Sequence, residues 1–238
     1  MNDRRHGRSG NRAEPHSKGA SARRGGSTVT TVLDPATRGL VQVALGLPDG
    51  SEAQLGQWLA EARRAATPDL WLDELLISSV VFVGFPRALV AMAEWRRLVP
   101  EPAAGAEVTD YADWREWRSR GEATCRAVYG RHYSLLRRNV RALHPALEEW
   151  MIVDGYGKTL SRPGLDLMHR ELCSVAMLIA QRAPRQLLSH LRGALNAGAA
   201  PAQLDEVLEI AGSMGVAPDG LAVARDLWQE LRDTLQHD

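Results

Sequence analysis

Glu171 and His190 are the ionisable residues that the sequence sets inside otherwise apolar surroundings. The glutamate opens Glu171-Leu-Cys-Ser-Val-Ala-Met-Leu-Ile-Ala180, and the histidine stands among Leu187, Leu188, Leu191 and Leu195. A carboxylate beside an imidazole fixes its tautomer and favours its charged form, which gives a positioned proton donor and acceptor. The chemistry expected of the pair is therefore general acid/base catalysis. Placed early in its helix, Glu171 would also be favoured by the helix dipole. Cys173, two residues further on, points away from the acid on a helix and reads as a small packing residue. Cys125 falls in a polar stretch and is assigned no role.

Two helices with a tight break between them must carry the pair. The second begins at Pro184, a favourable first helical position, and ends at Gly198, where a left-handed cap costs little. The rest of the chain from Asp34 onward also has helical signals. Asp34-Pro35 and Thr67-Pro68 resemble cap and first turn, while Gly46 and Gly84 punctuate. Thr109 or Asp110 opens a long polar helix with Trp114, Trp117 and Tyr129, and His144-Pro145 opens another. Alternating β-branched strand signals are almost lacking, so the expected class is all-α.

The chain also repeats itself. A shift of 132 residues lays 37–99 on 169–231 and matches about fifteen of some sixty positions, against roughly one in fifteen to twenty from ordinary composition. The matches are mostly apolar positions and helix starts, including Arg38 with Arg170 and Glu74 with Glu206. Gly39 stands where Glu171 is, and Trp58 where His190 is. The expected plan is a tail over 1–27, a degenerate copy over 28–100, a linker over 101–108, and a copy with the site over 109–238. The first copy is expected to serve as scaffold. The tail, rich in Arg, Gly and Ser, cannot bury enough surface to order itself.

The stretch from Glu171 to Gly198, with the preceding GYGKTLSRPGLDLMHR and the following AQLDEVLEIAGSMG, resembles the carboxymuconolactone decarboxylase and alkylhydroperoxidase D superfamily. The resemblance implies a tandem of two all-α bundles of that type. It also implies roles for Glu171 and His190, whose separation matches the Glu-to-His spacing of the peroxidase branch. That branch's two cysteines would fall on Ala183 and Gln186, so the redox pair is missing here, as in the decarboxylase-like branch. The implied reaction is a cofactor-free decarboxylation of a small carboxylated lactone or related conjugated acid. Proton-transfer isomerisation or ring opening, a disfavoured thiol peroxidase, and a non-enzymatic oligomeric binding protein stay open beside it. A decarboxylase needs a cation for the substrate carboxylate. Arg162, in the loop Ser161-Arg-Pro-Gly164, is the first candidate, although a solvated surface arginine fits the sequence equally well. Arg170, which recurs as Arg38, reads as a structural ion pair. Tyr156 and Trp150 could wall the pocket, with core packing as the plain alternative. By analogy with its relatives, the chain would assemble as a homotrimer, a pseudo-hexamer of repeats.

Composition bounds the partners. The 238 residues carry 29 basic and 29 acidic side chains, which makes no case for nucleic acid or an anionic membrane. No apolar run reaches the ~18 residues of a spanning helix, and the N-terminus shows no secretory signal. The two cysteines lack metal or C-x-x-C spacing, so no metal is expected. Reduced thiols fit a cytoplasmic location.

Overall fold

The computed structural model describes residues 32–103 and 114–235. The expected tail, most of the expected linker, and the start of the helix expected at Thr109 or Asp110 lie outside the described residues. Among the described residues the secondary structure is helical throughout, with no strand, and the class is all-α.

Local chemistry sets the helix starts. Asp34 accepts from the amides of Ala36 and Thr37 and caps α1 (Pro35–Gly46). Ser51 and Gln54 form a capping box at the head of α2 (Glu52–Arg64). The expected Thr67 cap is not one. Pro68 holds the N-cap position of α3 (Asp69–Leu98), and the Thr67 hydroxyl donates to the carbonyl of Ala36. Within α3, Gly84 departs from helical geometry at φ 75°, two residues before Pro86. Helix α4 (Trp114–Tyr129) is followed by a single 3₁₀ turn and α5 (Tyr133–Leu143). His144 then caps α6 (Pro145–Trp150), which continues as a π-helix over Met151–Leu160. The chain closes with α7 (Leu167–Ala180), α8 (Pro184–Asn196), α9 (Pro201–Ser213) and α10 (Pro218–Leu235).

One large apolar core joins α1, α2 and α3 to α7, α8, α9 and α10. A smaller one, built on Cys125, Val128, Ile152, Tyr156 and Leu160, ties α4 to the π-helix. Those two elements meet backbone to backbone. A Cβ on Gly121 would strike the carbonyl of Ile152, and one on Gly157 the carbonyl of Trp117.

The offset seen in the sequence recurs in the helix boundaries: α2 begins at 52 and α8 at 184, α3 at 69 and α9 at 201, so 184 − 52 = 201 − 69 = 132. Contacts follow the same relation. Arg38 pairs with Glu206, and Arg170 pairs with Glu74 at 2.9 Å, so each arginine meets the acid of the other half. Thr37 and His169, 132 apart, touch each other, with Oγ1 to Nε2 at 3.0 Å. This crosswise pattern is what a local two-fold axis between α1 and α7 produces.

The membrane expectation needs correction. Helix α3 is long and apolar enough to cross a membrane, with an 18-residue window of mean hydropathy 2.0, a third of it buried. Ser78, Ser79 and Arg87 interrupt the apolar run in the sequence of this helix. Leu72, Leu75, Leu76, Ala91 and Trp95 of α3 lie in the core.

Candidate active site

The backbone break at Arg182, with φ 56°, reverses the chain between α7 and α8 and lays the two helices side by side. Glu171 then faces His190 across the pair, with Oε2 at 2.9 Å from Nδ1. Both are buried, at 1% and 6% exposure. Gly193, one turn beyond the histidine, makes room for the carboxylate: a Cβ there would collide with Oε2 of Glu171. The dipole argument does not apply, because Glu171 is the fifth residue of α7 and no acid lies in the first turn. Its seat is steric and hydrogen-bonded.

His190 lies on the wall of a cleft of about 880 Å³. With Nδ1 turned to the glutamate, Nε2 is the nitrogen left for chemistry. Phe82 packs edge-on to the imidazole at 5.7 Å and Tyr129 at 6.4 Å. Tyr156 and Trp150 both line the cleft, as do Ala183 and Gln186, the positions of the missing cysteines. The π-helix supplies much of one wall, including Met151, Asp154 and Thr159. Such segments, with their widened turns, occur frequently at functional sites.

Arg162 is placed elsewhere. Its guanidinium lies on Glu74, with Nη2 at 2.8 Å from Oε1, and shares that buried carboxylate with Arg170. A carboxylate held to two guanidiniums in the interior is a structural knot, and Arg162 is not among the cleft-lining residues. The basic residue on the cleft wall is Lys158, whose ammonium lies 5.1 Å from the centre of the Trp117 ring.

The first half of the chain contributes more than the scaffold expected of it. Val80, Val81, Phe82 and Phe85 of α3 form the wall that faces α7 and α8, and Gln181 donates to the carbonyl of Phe82 at 2.6 Å. Under the 132-residue offset, Leu178, Gln181, Gln186 and His190 fall on Gly46, Asp49, Gln54 and Trp58. Phe82 and Phe85 fall on Met214 and Ala217. These residues line a second, smaller cavity of about 290 Å³. Each cavity thus takes a helix pair from one half and a wall from the other. In the second, the Trp58 ring packs over Gly46 and Gly50, and Gly39 offers no acid.

Tyr129 escaped the sequence reading. It ends a polar helix, and nothing in its neighbours marks it as inward. Its ring stands edge-on to that of Tyr156, 6.2 Å away. Burial pushes the Tyr129 phenol up to about 12 and the Tyr156 phenol well above its usual range, so both stay protonated at neutral pH. Burial likewise raises the thiol of Cys125 to about 12 and that of Cys173 well above its ordinary value. Neither sulfur is a ready thiolate.

Residues 146–229 match the model of the carboxymuconolactone decarboxylase family. The chain is also similar to peroxisomal protein 2 of Schizosaccharomyces pombe, at 29% identity over 161 residues. That alignment covers 63% of this chain and 72% of the fungal protein.

Proposed function

Because residues 146–229 match the model of the carboxymuconolactone decarboxylase family, we propose that this chain is an acid/base enzyme in which His190 moves a proton on a small molecule held in the cleft. The observation that carries the reading is the contact of 2.9 Å between Nδ1 of His190 and a buried Glu171 carboxylate, on the wall of a cavity of substrate size. Glu171 holds the ring, and Nε2 takes and returns the proton. Decarboxylation of a carboxylated lactone or conjugated acid is the finer form of this proposal, after the family's name. The same pair could equally run an isomerisation or a ring opening, because all of these pass through proton transfer at carbon. A thiol peroxidase is less well supported, since Ala183 and Gln186 stand on the cleft wall in place of cysteines. The compartment is part of the proposal too. Two buried free thiols fit a reducing cytoplasm, while the fungal relative is named for the peroxisome, and fractionation of tagged protein separates the two.

The test offers carboxymuconolactone and a panel of enolisable lactones and conjugated acids to the protein in deuterated water. Turnover or deuterium incorporation is followed by NMR. Wild type should act on at least one of them, and His190→Ala should lose about 10²-fold or more. Glu171→Gln should lose nearly as much, and the double variant little more, because the two residues act as one unit. Losses that simply add would show that the pair does not work together.

A further inference from the structure

The wall that meets His190 from outside the α7–α8 pair carries hydroxyl groups that proton transfer alone leaves unused. Tyr129 comes from the end of α4 and Tyr156 from the π-helix, and both line the cleft. The Tyr129 ring stands edge-on both to the imidazole of His190, at 6.4 Å, and to the ring of Tyr156, at 6.2 Å. A phenol carries one O–H to give, and burial keeps that of Tyr129 protonated. We propose that Tyr129 donates a hydrogen bond to an oxyanion that forms on the substrate beside His190, with Tyr156 as its positioning residue. The substrate is then an apolar, ring-sized molecule that presents one enolisable carbonyl at this end.

The inference rests on the acid/base reading of His190 and narrows its substrate. Removal of a proton from the carbon next to a carbonyl by Nε2 sends the C–H electron pair onto the carbonyl oxygen. That oxygen becomes an enolate and accepts from Tyr129, and the imidazolium then returns the proton to carbon. A buried neutral phenol suits this step, since it stabilises charge as it develops without carrying charge itself. The remaining wall fits an apolar body. Val81, Phe82, Phe85, Trp150 and Met151 dominate it, and Lys158, the basic side chain on this wall, lies with its ammonium over the Trp117 ring. Arg162, which would have served a dicarboxylate, is committed to Glu74.

The probe is 4-nitrophenol, an apolar ring with one oxygen that titrates and whose absorbance reports its charge. It should bind wild type with its own titration shifted towards the anion. Tyr129→Phe should weaken binding about tenfold or more and abolish that shift, because a hydrogen bond to a charged oxygen is lost. Tyr156→Leu should reduce both effects by several-fold, because the ring packed edge-on against Tyr129 is lost, and Trp58→Phe, in the smaller cavity, should change neither. Circular dichroism checks that the variants fold. Equal binding and equal shift in wild type and Tyr129→Phe would overturn the proposal, as would a wild type that ignores the probe. The two readings fail separately. Deuterium exchange lost in His190→Ala but unchanged in Tyr129→Phe leaves the acid/base pair standing and removes the oxyanion donor. Probe binding that depends on Tyr129, without exchange on any substrate, does the reverse.

Discussion

Gly193 decides how close Glu171 can come to His190. A glycine inside a helix costs about 1 kcal/mol relative to alanine, so helix propensity alone would reward Gly193→Ala. The steric effect runs the other way. The new Cβ would collide with Oε2 of Glu171 and stand 2.7 Å from Cγ1 of Val128, and overpacking of this kind costs about 1–3 kcal/mol. Gly193→Ala should therefore fail to stabilise the protein in urea, and deuterium exchange should fall about tenfold or more as the carboxylate is pushed off the imidazole. A gain in stability with unchanged exchange would mean that Glu171 has room to move. Glu171 and His190 were legible in the sequence because each is a polar residue in a short, locally apolar helix. Arg162 was not legible: its partner, Glu74, lies 88 positions away in another helix. No local pattern distinguishes a buried ion pair of that range from a substrate-binding cation.

At the scale of elements, helix starts were readable where proline takes the first helical position, as at Pro35, Pro145 and Pro184. The π-helix was not, because its widened turns over Met151–Leu160 leave little trace in an apolar period. Tyr129 was hidden for a related reason. Helix α4 is polar overall, and its inward face exists only because Gly121 and Gly157 let the π-helix lie against its backbone. Helix α3 raises the opposite question, since it has apolar surface to spare. Phe85 is 67% exposed, and Leu89 and Val81 join it, with Trp150 and Leu147 of α6 also exposed at the cleft. Contiguous apolar patches of this kind mark interaction surfaces. We propose that this face mediates the self-association expected from the sequence. Light scattering should find a species heavier than one chain, three chains on the expectation drawn from the sequence. Phe85→Ser combined with Leu89→Ser should shift it towards the monomer. A wild type that stays monomeric at micromolar concentration would sink the idea.

Across the whole molecule, the two halves are locked by a crosswise pair of ion pairs whose surroundings differ. Glu74 is fully buried and takes both Arg170, itself buried, and Arg162 at 12% side-chain exposure. Glu206 holds Arg38, a third exposed, and also accepts the amides of Val32 and Leu33 at 2.7 Å. The offset of 132 residues made the equivalence of the four residues readable, but not which pair lies deeper. That difference depends on the loop carrying Arg162, whose carbonyl accepts from Arg170 at 2.9 Å. Removing one partner of a buried pair leaves an uncompensated charge, at about 3–5 kcal/mol. Glu74→Gln keeps the side chain's size and strands two guanidiniums, one of which already has a buried nitrogen, Nη1 of Arg170, without a hydrogen bond. It should lower stability by about that amount in urea unfolding. Glu206→Gln should cost clearly less, because water can reach Arg38 and the amide oxygen of glutamine can still accept from Val32 and Leu33. Equal losses would mean that the halves are held alike on both sides, and that Arg162 is free enough of Glu74 to turn towards the cleft after all.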